Sequence, residues 1–254
     1  MKIRFLGTGA ADWSGKTYGE GEFFRRRSSA LIDDGLLIDP GPDIFDTGVS
    51  LACVTDVIVT HTHSDHFSPQ VLARLCENRA ISLWGDDACL RALEKAGGVP
   101  PRLMFHPTEI GKTYEIGGYT VTPLRANHRT PDEREVPRVY LVERDGRTLF
   151  YGCDSAWLPC DTWKCLKEVP VNLMVLELTC GATAVDDWRI FEHNDRNMLA
   201  SMIRMFRKYG CFAPDVRYVT SHMARTLHAD HETLASDLAR IGVTPAYDLL
   251  ELDV

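Results

Sequence analysis

The residues most able to do chemistry are packed into one short stretch. Thr60 to His66 reads T-H-T-H-S-D-H and follows the apolar run DVIVT. His61, His63, Asp65 and His66 thus offer three imidazoles and one carboxylate from a single loop, and both group types are good ligands for zinc, iron or manganese. The chain has only 9 histidines, so three of them around one aspartate is a poor fit to chance and a good fit to a metal loop. Four donors suffice for one ion. Other donors stand just beyond β-like runs: His128 after YTVTPLRAN, Asp154 after TLFYGC and His222 after VRYVTS. Each alone would read as an ordinary polar strand end. Together with the first cluster they make seven donors, enough for two ions sharing one carboxylate. No G-x-S-x-G nucleophile elbow accompanies them.

The elements needed to converge these donors can be read from pattern. Lys2 to Leu6, Ser29 to Ile32 and Leu36 to Ile38 read as strands, the last two joined at Asp33-Asp34-Gly35. Asp56 to Thr60 is a buried-type strand, and Ser68-Pro69 opens a helix through Leu75. A strand over Ile81 to Trp84 and a helix over 86–96 follow, stopped by Gly97-Gly98. β patterns then cover 102–105, 113–116, 119–125, 138–144 and 147–151. Helices at 160–168, 194–208 and 231–240 alternate with strands at 173–178 and 216–220, and Tyr247 to Leu252 is expected to be a last strand. Strand blocks with intervening helices, and no linker, predict two sheets covered by helices in one domain, residues 1–254.

Composition narrows the function classes. The 254 residues are 44% hydrophobic and 25% charged, which fits a globular protein and excludes collagen-like, coiled-coil and disordered chains. A net charge of −8 argues against sequence-independent nucleic-acid binding. No apolar run approaches a membrane span; the longest candidate, Val171 to Leu178, reads as a buried strand. No secretory h-region opens the chain, so a cytoplasmic location and no membrane partner are expected. The 8 cysteines include no C-x-x-C pair and are expected to be reduced, partly buried small residues.

The H-x-H-x-D-H loop, the later His, Asp and His at strand ends, and the stretches MKIRFLGTGA, LLIDPG and AYDLLEL resemble the metallo-β-lactamase superfamily along the whole chain. That resemblance implies an α/β fold, a four-layer αββα sandwich of two mixed β-sheets with the metals at one edge. It implies that His61, His63 and His128 bind one metal, that Asp65, His66 and His222 bind the other, and that Asp154 bridges them. Asp39 matches an acidic position that supports the site from behind; a plain hairpin-end aspartate is the alternative. The implied activity is hydrolysis by a hydroxide shared between two divalent ions, zinc first, manganese or iron otherwise. Asp65 and His193 are the residues expected to act in the catalytic step.

FLGTGA, Arg27-Ser28-Ser29 and S-H-M … H-x-E-T-L resemble the phosphodiesterase branch, which holds a cyclic-phosphate phosphodiesterase and the tRNA 3′-processing endonucleases. The chain lacks the former's N-terminal cysteine cluster and the latter's Gly-rich arm. A small phosphodiester is therefore expected rather than a folded RNA, with a homodimer as the family's common state. A lactone or amide hydrolase on the same site and a non-catalytic metal-binding sensor are the alternatives. His193 precedes the long helix and reads either as a proton donor to the leaving alkoxide or as a polar residue beside an Asn194 or Asp195 cap. His228 and His231 read as helix-start hydrogen bonders, and His106 as filler. Arg25 to Arg27 reads as a solvated basic turn, with an anion clamp as the alternative. Trp13, Trp157, Trp163 and Trp188 are candidates for the pocket mouth or the core.

Overall fold

A strand buried on both faces must be apolar at every position, and much of this chain is written that way. The computed structural model describes residues 1–14, 24–181, 188–210 and 212–254. Its first strands are β1 (Lys2–Gly7), β2 (Ser29–Ile32), β3 (Leu36–Ile38), β4 (Asp56–Ile58), β5 (Ile81–Gly85), β6 (Leu103–Pro107) and β7 (Tyr114–Ile116). Then come β8 (Tyr119–Arg125), β9 (Arg138–Arg144), β10 (Arg147–Gly152), β11 (Leu173–Glu177), β12 (Arg217–Ser221), β13 (Val243–Pro245) and β14 (Glu251–Asp253). The helices are α1 (Pro69–Leu75), α2 (Ala88–Lys95), α3 (Cys160–Leu166), α4 (Arg196–Tyr209) and α5 (His231–Ala239).

The strands form two mixed seven-stranded sheets, ordered β14-β1-β2-β3-β4-β5-β6 and β13-β12-β11-β10-β9-β8-β7. Alternate side chains of each strand divide between two cores. Ile32, Leu36 and Ile38 face inward to meet Val121, Tyr140, Tyr151 and Val175 of the other sheet. Leu31, Leu37 and Val57 face outward and pack with Val71, Leu72 and Leu75 of α1 and Leu93 of α2. On the far side Phe150, Met174 and Leu176 pack with Leu199, Ile203 and Phe206 of α4 and Leu234 of α5. The result is the expected helix–sheet–sheet–helix sandwich.

Helix starts follow their caps. Ser68 accepts a hydrogen bond from the Val71 amide ahead of Pro69, and Asp195 accepts one from the Met198 amide. The 33–35 turn places Asp33 and Asp34 at φ 45° and 63°, a left-handed region that aspartate tolerates. Two expectations need correction. The tail is a strand only over Glu251–Asp253, because the Asp248 carboxylate accepts from the Thr8 and Arg26 amides and Leu250 bonds back to Tyr247, which makes residues 247–250 a turn. The short β13, parallel to β12, was not foreseen; three residues after a glycine carry almost no pattern.

Within sheet one β3 and β4 are parallel, and within sheet two β10, β11 and β12 are parallel. Strand ends that share a direction deliver their following loops to one edge, where a crevice can form. Among the described residues no helix is long and apolar enough to cross a membrane. Of the cysteines, Cys76, Cys89, Cys153 and Cys180 are buried, Cys165 is half-buried, Cys53 and Cys160 are exposed, and Cys211 lies outside the described residues.

Candidate metal centre

All seven donors meet at that edge. His61, His63, Asp65 and His66 come from the loop after β4, His128 follows β8, Asp154 follows β10 and His222 follows β12. His61 Nε2 and His128 Nε2 lie 2.9 and 3.0 Å from His63 Nδ1. His66 Nε2 and His222 Nε2 lie 3.5 and 3.4 Å from Asp65 Oδ2. Asp154 sits between the two groups. Its Oδ2 is 2.8 Å from His66 Nε2 and 3.4 Å from His61 Nε2, while its Oδ1 is 2.9 Å from His222 Nδ1. Two overlapping sets, His61/His63/His128/Asp154 and Asp65/His66/Asp154/His222, are each compact enough to hold an ion.

Buried partners behind the ring fix how the imidazoles present themselves. Asp39, fully buried, accepts from the Thr60 amide and hydroxyl at 2.7 and 2.8 Å and lies 2.8 Å from His66 Nδ1. Thr60 Oγ1, having donated to Asp39, can accept from His61 Nδ1 at 3.0 Å. On the opposite sheet Thr179 Oγ1 donates to Glu177 and lies 2.8 Å from His222 Nδ1. With Nδ1 held from behind, Nε2 of His61, His66 and His222 points inward, free to coordinate in His61 and, in His66 and His222, once the second proton is lost. His66 Nε2, His128 Nδ1, His193 Nδ1 and Asp154 Oδ1 are buried without a well-aligned hydrogen bond among the described residues, although His66 Nε2 and Asp154 Oδ1 have polar neighbours at 2.8 and 2.9 Å. Such orphans are costly unless something else satisfies them, so the donor set fits metal ions.

Backbone strain collects in the same place. Asp39, Asp154 and His222 each adopt a left-handed φ, 60°, 50° and 55°, within two residues of a strand's end. Non-glycine residues seldom do this, and here it turns Asp154 and His222 into the cleft and sets Asp39 behind them.

Charge differs between the two sets. Burial, with neighbouring imidazoles, holds His61 well below the ordinary histidine range and puts His128 at about 4. Burial also works against a charge on His66 and His222, but Asp65 and Asp154 overcome it, raising His66 strongly and His222 to about 10. The carboxyls of Asp65 and Asp154 are held well below their usual range by those histidines, in spite of burial.

His193 turns into this cluster. Its Nδ1 is 3.4 Å from Asp154 Oδ1 and 3.7 Å from Glu177 Oε2, and Glu177 raises it against the penalty of burial. The cap of α4 is Asp195, which leaves the His193 ring for the cleft. Glu177 was missed by sequence reasoning; the one signal was a lone acid inside the apolar run VNLMVLEL. Asp39 is the supporting carboxylate and not a mere hairpin end.

Other candidates find structural duties. Arg25 and Arg26 are buried and Arg27 pairs with Asp43, so the stretch is neither a solvated turn nor a free anion clamp. Arg25 bonds Thr8 and the Ala246 carbonyl and lies 3.1 Å from His231 Nδ1; Arg26 pairs with Asp248. These internal partners compensate the burial that the sequence could not reveal. His228 Nε2 meets the Thr179 carbonyl, and His106 stacks on Trp84. Trp13 donates to the Met223 carbonyl and Trp163 packs on Phe206, whereas Trp157 and Trp188 are exposed.

Around the donors is a cleft of about 360 Å³, lined on its rim by Asp12, Trp188, Arg189 and Glu192. A sequence model described as Beta-lactamase superfamily domain matches residues 35–190, which span the loop after β4, His128 and Asp154. The chain belongs to the metallo-β-lactamase superfamily. No curated protein matches it by sequence. Solved structures agree on the superfamily's fold. Zn(2+)-bound PqqB from Methylobacterium extorquens is 17% identical, with 100% of both chains covered and a TM-score of 0.79. A diphosphatase from the PhnP family is 17% identical, covering 100% of this chain and 97% of its own, with a TM-score of 0.73. Human tRNase Z, short form, is 18% identical, covering 100% and 99%, with a TM-score of 0.67.

Proposed function

We propose that this chain is a metal-dependent hydrolase, its residues 1–254 working as one domain in the cytoplasm, that cleaves a small phosphodiester. The single observation that carries the reading is Asp154, whose Oδ2 lies 3.4 Å from His61 of one donor set and 2.8 Å from His66 of the other, while its Oδ1 lies 2.9 Å from His222. In that arrangement His61, His63 and His128 would hold one divalent ion and Asp65, His66 and His222 the other, with Asp154 within reach of both sets. Zinc is the first choice, supported by the zinc-bound PqqB neighbour; manganese and iron suit the same donors. Such ions supply acidified water at neutral pH and positive charge against phosphoryl oxygens.

The chain's own residues do the rest. Asp39, Thr60 and Thr179 hold three imidazoles in one tautomer and orientation. Glu177 favours the charged form of His193, so that ring carries a proton into the cleft and can deliver it to the departing alkoxide. A phosphorus ester is supported by the diphosphatase and tRNase Z neighbours. A small substrate is supported by the cleft's size and the net charge of −8, which together disfavour a polyanion.

The test is turnover of bis(p-nitrophenyl) phosphate by zinc- and manganese-reconstituted protein against a chelated blank. Metal-dependent nitrophenolate release is expected. Silence from both forms, with two metals confirmed bound, would sink the phosphodiesterase reading and turn attention to lactones and amides.

A further inference from the structure

Asp39 grips the metal loop at Thr60, and a second buried carboxylate meets the same loop two residues further on. Glu135 is only 7% exposed and lies in the stretch joining β8 to β9, seven residues after His128. Its Oε2 accepts from the Thr62 hydroxyl at 2.6 Å. Its other oxygen, Oε1, is buried with no hydrogen bond among the described residues. A half-satisfied buried carboxylate costs stability, because the loss of its hydration is only partly compensated. The stretch around it is fixed. The Glu135 amide donates to the Asp132 carbonyl, Asp132 pairs with Arg91 of α2 at 2.5 Å, and the Arg138 amide donates to the Thr60 carbonyl at 3.0 Å. No step of the proposed hydrolysis uses this carboxylate.

What Glu135 touches is the residue between two ligands. Thr62 stands between His61 and His63, and the stretch that carries Glu135 also carries His128. The three imidazoles of the first set thus come from two chain segments, and the Thr62–Glu135 hydrogen bond ties those segments together. The first set has more need of such a tie than the second. His66 meets Asp39, and His222 meets Thr179 with Glu177 behind it. Among the described residues no hydrogen bond from outside the donor cluster reaches the ring of His63 or His128. We infer that Glu135 is a positioning residue for the first ion, fixing His61 and His63 against His128 through Thr62. This rests on the two-ion reading of the site and is independent of the phosphodiester as substrate.

Full-chain variants that isolate one set read the two ions separately. Asp65→Ala leaves the first set to bind cobalt, and His61→Ala leaves the second. In the Asp65→Ala background, Glu135→Ala should weaken cobalt binding about 10- to 100-fold and alter its visible absorption, as when support behind a ligand is lost. In the His61→Ala background the same change should cost less than about twofold, since the second set shares no partner with Glu135. Glu135→Gln keeps an oxygen for the Thr62 hydroxyl and should restore affinity and spectrum to within about threefold. Thr62→Val removes the donor instead, and should match Glu135→Ala without adding to it in the double variant. If Glu135→Ala does not fold, Thr62→Val carries the same comparison. Equal losses at the two ions, additive losses in the double variant, or a glutamine variant as impaired as the alanine one would overturn the role. A wild type that binds no cobalt overturns the two-ion reading and this role together. A loss confined to the first ion, with bis(p-nitrophenyl) phosphate left uncleaved by the wild type, keeps the role and removes the phosphodiesterase reading.

Discussion

His61 and His222 sit at matching places in the two sheets and are held in matching ways. Behind His61 stands the relay Asp39–Thr60, and behind His222 the relay Glu177–Thr179, each a buried carboxylate receiving a threonine hydroxyl that meets the ring at Nδ1. Yet burial pushes His61 well below the usual histidine range, while His222 is raised to about 10. The supports are alike, so the difference comes from the front. Both rings have imidazole neighbours, but His61, among His63, His66 and His128, has its carboxylate, Asp154, at 3.4 Å, whereas His222 has two, Asp154 at 2.9 Å and Asp65 at 3.4 Å. Ring orientation is set from behind, and protonation is set by the neighbours across the cleft. One half of the centre is ready to coordinate, and the other must first give up protons.

Breaking what the halves share should have the largest effect. Asp154→Ala is expected to lower metal content at both sets and to reduce turnover by about 10³-fold, the scale of removing a main electrostatic element of an active site. Asp65→Ala should strip only the second set. Metal stoichiometry by plasma emission distinguishes them, and a D154A protein that keeps its full metal complement would refute the bridging role. Next in size is Asp39→Ala, which touches His66 directly and His61 only through Thr60. Loss of a carboxylate behind a ligating histidine costs about 10- to 100-fold in metal affinity. The loss should be greater for the more weakly held ion, read by competition with a chromophoric chelator.

Acidification sharpens the contrast. An ion entering the second set must displace protons from His66 and His222, about two per ion, whereas His61 and His128 are already neutral. The second set should therefore empty at higher pH than the first, with the steeper slope. The metal-free protein follows from linkage. His61, His63 and His128 are lowered by folding, so their contribution to stability is present above the unfolded value of about 6.5 and is lost as pH falls, through about 4 for His128. His66 and His222 are raised, so theirs is present below about 6.5 and is lost as pH rises, through about 10 for His222. Metal-free melting temperature should peak near neutrality; a monotonic rise from pH 5 to 10 would contradict these assignments.

How much of this was legible in the sequence depended on range. H-x-H-x-D-H is local, and the seven donors it leads to are brought together as their strand-end positions suggested. The doubly buried strands were legible for the same reason, since Leu36 to Ile38 is apolar on both faces. Glu177 and Thr179 were not, because a lone Glu or Thr at a strand end gains meaning only when His222, 43 residues on from Thr179, is placed against it. Arg25 and Arg26 looked solvated for a like reason: Asp248 and the Ala246 carbonyl, which allow their burial, lie over 200 residues away.

The matched relays offer the finest test of the opening comparison. Thr60→Val and Thr179→Val each remove one hydroxyl of similar geometry and leave the carboxylate behind it buried. A hydrogen bond of that kind has a net value of about 1 kcal/mol, or about fivefold in affinity. If orientation were all that the hydroxyls supply, both substitutions would weaken their ions equally. Asymmetry is expected instead. Among the described residues His61 without Thr60 has no carboxylate nearer than 3.4 Å to hold its tautomer, whereas His222 Nδ1 still has Asp154 Oδ1 at 2.9 Å. Thr60→Val should then cost about fivefold at the first ion, and Thr179→Val less at the second. Equal losses would mean that the carboxylates in front of His222 do not steady the ring, and that protonation and orientation are not separately controlled.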